Sequence, residues 1–348
     1  FSDMAVNVIS DKPFTLIDSR IYIKENNSDL LEESGINIIA SLDFNVHNNV
    51  IANFDYGIST PLKKGKFSKG RITNNTITFD ATPTNKSGEK KGIVVNAVDS
   101  LEIDDNEIVN PDEGIGAVQS SGRITNNTIT FDATPTNKAD APLKKGIYIV
   151  GSNFEITGNT IISNDISTPS ISGIEVENSS VSASYNVIDF AKYNNKDCVY
   201  YGFFTTALGP NSQFINNTIN NATFGFYNEG AADPTDFINN LVWGDGVLPG
   251  NVTSNSDILL AYNNDILGEK SGLLEDKDNF KEDPLYKSVK ISDFYLDSKS
   301  KCIDVGMEVK DFHVYGENFF GDAPDVGALE FYVAIVVNLD SPSNVSIS

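Results

Sequence analysis

Two lysines sit where a proton-abstracting base would be sought. Lys91 and Lys145 each precede a Gly-Ile pair, Gly92-Ile93 and Gly146-Ile147, and Glu113 takes the same place before Gly114-Ile115. Abstraction of the proton α to a uronate carboxylate needs a Lys or Arg base, usually with a cation on the carboxylate. If their coils lie one above another, the same three residues form an alternating Lys-Glu-Lys stack. Cross-strand charge compensation produces such stacks, and this simpler reading is the preferred one. A cation site is suggested by Asp80 and Asp132, which hold identical positions in duplicated segments, with Asp112 between them. Hard oxygen ligands gathered within two strand spacings, about 10 Å, suit Ca2+, the one cofactor the sequence points to. The competing reading is a solvated acidic edge. A third set, Tyr148, Glu175, Phe204 and Tyr227, offers flat aromatic surface with a carboxylate. That suits sugar stacking, unless inserted loops fold over it. His47 and His313 share no context, and Cys198 and Cys302 match no metal-ligand spacing, so both cysteines read as ordinary thiols.

Only a repeat can bring these side chains together. An apolar residue, a spacer, Asn-Asn or a variant, a spacer and an apolar residue recur, with the second Asn at Asn49, Asn75, Asn106, Asn127, Asn159, Asn186, Asn217, Asn240 and Asn264. A Gly followed by Ile or Phe runs in step at Gly35, Gly57, Gly92, Gly114, Gly146, Gly173, Gly202 and Gly225, with one Gly between each pair of neighbouring Asn marks from Asn49 to Asn240. A period of about 20 to 50 residues marks a solenoid whose units bury their apolar faces against each other. Alternation of period two, as in Gly146-Ile147-Tyr148-Ile149-Val150, makes the units strands. Three short strands per turn predict an all-β, right-handed, single-stranded parallel β-helix with coils about 4.8 Å apart. The recurring Asn then satisfies its inward-facing amide by bonding to the next Asn along an internal ladder.

In this register Val94, Gly116, Tyr148, Glu175, Phe204 and Tyr227 form one outward column. The Gly-to-Asn distance is 13 to 15 residues with one exception of 18, whereas the Asn-to-Gly distance swings from 8 to 19. Insertions therefore collect at one corner, over Thr78–Lys91, Thr130–Lys145, Ile162–Ser172 and Asp189–Tyr201. Loops along one edge of a rigid scaffold are where binding residues concentrate. Residues 70–86 and 122–138 are identical over 17 positions at an offset of 52. Duplicated coils are easier to reconcile with a stalk or surface module than with one fixed active site. The chain divides into an N-terminal cap at 1–34, with short strands and a helical turn over 28–34, coils at 35–266, a C-terminal module at 267–330, and a terminal strand or linker at 331–348.

Formal net charge is -23, from 48 acids against 25 bases among 348 residues. Nucleic acid is excluded as a partner, and a cation or an extracellular setting is favoured. Three arginines, Arg20, Arg71 and Arg123, leave little capacity for bidentate recognition of acidic sugars. No apolar run reaches transmembrane length. The chain begins at Phe1 without a signal-peptide pattern, as expected of a mature or trimmed product.

The Asn-marked coils over 35–266 resemble those of the pectate-lyase-like superfamily of right-handed parallel β-helices. In that family the Asn ladder precedes the third strand, so the resemblance implies that the Gly-Ile strand is the first and that the swollen corner borders the substrate groove. The tail carries Asn239-Asn240-Leu241-Val242-Trp243-Gly244, Asp283-Pro284-Leu285-Tyr286, Cys302-Ile303-Asp304-Val305-Gly306 and Asp325-Val326-Gly327-Ala328-Leu329-Glu330 in order. It is similar to the C-terminal module of secreted and surface-anchored bacterial and archaeal β-helix proteins. The Arg-x-Pro-x-x-Arg signature of pectate lyases is absent, as are the Asn-Thr-Asp and His-Gly motifs of polygalacturonase-like hydrolases.

The expected function is therefore a noncatalytic extracellular or cell-surface protein, an adhesin or assembly subunit with affinity for glycans. The alternative is a Ca2+-dependent lyase of acidic polysaccharides, with Lys91 or Lys145 as base. Partners are carbohydrate or neighbouring subunits joined through terminal strands, because Phe331-Tyr332-Val333-Ala334-Ile335-Val336-Val337 is apolar on both alternating faces and needs cover.

Overall fold

The structure is a computed structural model. It describes residues 4–8, 12–22, 34–39, 43–60, 69–79, 89–132, 143–164, 170–190, 198–230, 233–244, 248, 250–288, 293–309, 319 and 321–331. These residues form three parallel sheets wound into a β-helix, followed by a two-stranded antiparallel pair of Tyr286–Ser288 with Asp293–Leu296, and no helix occurs among them. In a mid-body coil, Lys144–Val150 lies in the first sheet, Asn153–Thr157 in the second and Thr160–Ser163 in the third. Each strand pairs in parallel with its counterpart one coil on, as Lys145 with Ser172, Phe154 with Val181, and Ile161 with Ile188.

Inward positions make apolar columns that run the length of the stack. The third sheet contributes Ile51, Ile77, Ile108, Ile129, Ile161, Ile188 and Ile219, all fully buried. The first sheet contributes Ile58, Ile93, Ile115, Ile147 and Ile174, then switches to Phe203 and Phe226. Each such side chain stabilises the fold by roughly 1.5–3 kcal/mol. The glycine that opens each first-sheet strand is set by close approach. A Cβ on Gly146 would lie 2.4 Å from the Gly173 carbonyl oxygen, and one on Gly202 would lie 2.5 Å from that of Gly225, each with a third-sheet Ile on the other side.

The Asn-Asn pairs divide two tasks. The first residue turns the chain in the left-handed region, with φ of 54° at Asn74, 55° at Asn126 and 51° at Asn216. Asn tolerates that region better than most side chains. The second builds the ladder: Asn127 donates its backbone N–H (3.0 Å) and side-chain amide (2.9 Å) to Asn159 Oδ1, and the amide also reaches the Ile103 carbonyl. The same bonds link Asn49, Asn75, Asn106, Asn127, Asn159, Asn186, Asn217, Asn240 and Asn264 in order. A second, shorter stack holds the opposite corner, where Ser120 N–H donates to Ser152 Oγ and Ser152 N–H to Ser179 Oγ, each at 3.0 Å.

Both ends of the coil region differ from expectation. Residues expected to cap the stack instead make a coil of their own: Met4–Val8, Phe14–Ile17 and Arg20–Tyr22 pair in register with the next coil, with Ser19 at the ladder position. Ser34 opens a strand, and 28–33 lie outside the described residues. At the other end the ladder passes position 266 and reaches Asn279, whose Oδ1 accepts from Asn264, so the coils extend into the expected C-terminal module.

The rest of the module folds back along the outer face of the upper coils. Asn239 bonds to Met307 in both directions at 2.8 Å, Ala328 N–H donates to Thr218 Oγ1, and Asn216 donates to the Asp325 carbonyl. Two small clusters pack beneath it, one of Leu241, Leu296, Cys302 and Val326, the other of Val187, Phe294 and Ala328. The Asp-Val-Gly-Ala-Leu-Glu motif is thus a docking element. Fully buried Asp325 accepts the N–H groups of Asp304 and Phe331, Gly327 turns at φ 113°, and Glu330 accepts from Asp325 N–H.

Candidate binding face on the first sheet

Outward residues of the first sheet stand in vertical columns. One column runs Tyr56, Lys91, Glu113, Lys145, Ser172, Tyr201, Phe224. Beside it runs Val94, Gly116, Tyr148, Glu175, Phe204, Tyr227, in the register expected from sequence. On the far side of that column lie Val118, Val150, Glu177 and Thr206.

In the lower half of the face, the coils from Lys91 to Glu175, the charges are paired. Lys91 Nζ lies 3.0 Å from Glu89 and 3.5 Å from Glu113. Lys145 Nζ lies 2.7 Å from Glu175 Oε1 and 3.6 Å from the centroid of the Tyr148 ring. Burial pulls the Lys91 ammonium toward neutrality, but Glu113 and Glu89 more than offset this and leave its pKa above the ordinary lysine value. A lysine that abstracts a carbon-bound proton needs the opposite shift. Burial pushes the Glu113 carboxyl upward against the pull of Lys91 and Lys145. Tyr148 is held firmly as the phenol by burial and by Glu177, Glu175 and Glu113. Glu175, expected as a ligand-binding carboxylate, is only 7% exposed and is paired with Lys145.

The upper half carries rings. Tyr201 stacks on Phe224 at 5.5 Å and Phe204 on Tyr227 at 5.9 Å, while Tyr201 meets Phe204 at 5.1 Å and Phe224 meets Tyr227 at 5.0 Å. All four are partly exposed. Phe204 and Tyr227 were expected here, whereas Tyr201 and Phe224 were not. They hold the place before Gly202 and Gly225 that Lys91, Glu113 and Lys145 hold before theirs, so the register that found the charge stack also contains them. Burial, Tyr227 and Glu229 raise the Tyr201 pKa.

The expected Ca2+ ligands are not brought together by what is described. Asp112 Oδ2 accepts the Lys90 N–H at 2.8 Å, and burial pushes its carboxyl upward. Asp132 Oδ1 accepts from Asn164, and Asp80 lies outside the described residues. Among the described residues no three His, Cys, Asp or Glu side chains converge on a common point. The four inserted segments at the corner lie outside the described residues over 80–88, 133–142, 165–169 and 191–197, as do 332–348 with most of the expected terminal strand.

The family model described as "Right handed beta helix region" matches residues 68–266. The chain belongs to that family. The right-handed β-helix protein also resembles a solved structure titled "Crystal structure of pectate lyase Pel9A", with a TM-score of 0.43 and 12% identity over 85% of this chain and 89% of that one. Among curated proteins no match was found. No helix of the described residues is long and apolar enough to cross a membrane.

Proposed function

We propose that this β-helix protein is a noncatalytic carbohydrate-binding protein of the extracellular space or cell surface, acting as an adhesin or assembly subunit. The observation that carries the reading is the block of Tyr201, Phe204, Phe224 and Tyr227 on two consecutive coils, partly exposed and held in register by the coil. Rings fixed in this way present apolar surface to a sugar with little side-chain entropy left to lose. The lysines that a lyase would use are committed elsewhere, Lys145 to Glu175 and the Tyr148 ring, Lys91 to Glu89 and Glu113.

Affinity electrophoresis through gels containing different soluble polysaccharides tests this. The wild-type protein should be retarded by at least one, and a Tyr201→Ala/Tyr227→Ala variant of unchanged fold should migrate freely. Equal migration of the two proteins in every gel overturns the proposal. An ultraviolet assay for unsaturated uronides, run with Ca2+ on acidic polysaccharides, should show no turnover; robust turnover lost in Lys145→Ala establishes the lyase instead. For assembly, truncation after Phe331 should remove a sedimenting oligomer if 332–337 is donated to a neighbour, whereas identical sedimentation rules donation out.

A further inference from the structure

Lys145 shows how this face holds an ammonium group. Its Nζ sits 3.6 Å over the centroid of Tyr148 with the Glu175 carboxylate 2.7 Å away. A ring face and an adjoining carboxylate are the two elements that recognise an alkylammonium. Higher on the same sheet both elements recur, with no lysine over the rings among the described residues. The Lys145 column continues to Tyr201 and Phe224, and the Tyr148 column to Phe204 and Tyr227. Glu177, on the Glu175 coil at the lower border of the rings and hydrogen-bonded to Tyr148, lies one coil below Thr206, and exposed Glu229 follows Asn228 one coil above Thr206, so along one side the rings have a carboxylate below and another above. Glu229 is near enough to Tyr201 to help raise its pKa.

The sequence sharpens the contrast. From Asp197 to Glu269 there is no Lys and no Arg, while eight acids fall in the same span; Lys192 and Lys196 precede it, outside the described residues. Nothing from that span supplies a cation to the rings. Charge complementarity therefore favours a ligand that brings its own.

We infer that the upper half of the face takes a glycan of protonated amino sugars, whose pyranose faces lie against Tyr201, Phe204, Phe224 and Tyr227 and whose ammonium groups approach Glu177 and Glu229. The inference rests on the carbohydrate-binding reading and narrows it: uronate polymers are repelled, and neutral sugars lose the charged contact.

The test is calorimetric titration of the full chain, in mildly acidic low-salt buffer, with short oligomers of glucosamine, their N-acetylated counterparts, polygalacturonate and polylysine. Glucosamine oligomers should bind about tenfold more tightly than the N-acetylated ones, as expected for one or two ammonium–ring contacts. The gap should close in high salt and in a Glu177→Gln/Glu229→Gln variant, both substitutions being near-isosteric at positions that are not fully buried. Equal binding of the two oligomers overturns this inference and leaves the carbohydrate reading standing. Tighter binding of polygalacturonate overturns it as well, and polylysine binding as tight as glucosamine reassigns the face to cationic protein. Absence of binding to every sugar removes the carbohydrate reading beneath it.

Discussion

The lower and upper halves of the first-sheet face share one backbone and one set of columns, yet they expose different chemistry. Below, Lys91, Glu113, Lys145 and Glu175 neutralise each other on the outside while Ile93, Ile115, Ile147 and Ile174 fill the inside. Above, rings occupy both sides: Tyr201, Phe204, Phe224 and Tyr227 outside, and Phe203, Phe214, Phe226 and Phe237 inside at centroid distances of 4.7–5.6 Å. The C-terminal module also docks on the upper coils, through Asn216, Thr218 and Asn239. The contrast teaches that the scaffold is indifferent to what faces outward. Glycine, inward apolar residue and ladder Asn fix the coil, so a binding surface can differ from its neighbour without any change in fold.

If the halves share a scaffold, breaking it must hurt them equally. Gly146→Ala in the lower half and Gly202→Ala in the upper half each push a methyl group against a backbone carbonyl and an Ile. Chemical denaturation should show a loss of about 3 kcal/mol for each, the upper end of overpacking costs. A tolerated substitution in one half alone would break the comparison.

Next in size are the ladder variants Asn127→Ala and Asn217→Ala. Each leaves buried amides and carbonyls of the adjacent coils unpaired and should cost about 1–3 kcal/mol. Exposed Asn153, whose alanine variant should stay within about 0.5 kcal/mol of wild type, is the control. Ladder effects no larger than that control would refute the internal role of the Asn column.

The docked module should add a pH dependence of stability that runs through neutrality. Burial raises Asp265 to about 7, against bonds from Glu282 N–H and the Cys302 thiol; burial and Asp325 raise Glu330 to about 7. Both are acids whose folded pKa lies above the unfolded value, so folding prefers their protonated forms. Their favourable contribution is complete below about pH 4 and is lost as pH rises through 7. Thermal unfolding should come a few degrees lower at pH 8 than at pH 5, on the order of 1 kcal/mol. Asp265→Asn should flatten that slope, and an unchanged slope would show that Asp265 does not titrate in this window.

The smallest effect on stability should come from the outward rings. Tyr201→Ala/Tyr227→Ala should change it by about 1 kcal/mol or less, because both are partly exposed, while removing sugar binding. A large stability loss with binding intact would make the rings core and erase the distinction between the halves.

What the sequence made legible was mostly what faces inward. Asn127 and Gly146 recur because each coil needs the same ladder bond and the same close approach. The first coil escaped notice because Ser19 stands in the Asn position, and Asn279 because it follows Asn264 by only 15 residues, short of the period. The Tyr148 column was correctly aligned, but the burial of Glu175 was hidden, since it depends on how Lys145 folds across the neighbouring coil. The docking of the Asp325–Glu330 motif was equally hidden, because it rests on contacts such as Asn216 to Asp325, 109 residues apart, which no local pattern encodes.

A crystal structure of the full chain soaked with a short glucosamine oligomer tests the central claim most directly. The account predicts sugar density against Tyr201, Phe204, Phe224 and Tyr227, with amine nitrogens near Glu177 and Glu229 and the Lys145–Glu175 pair undisturbed. Sugar seated instead across Lys91 and Lys145, with that pair opened, would contradict it.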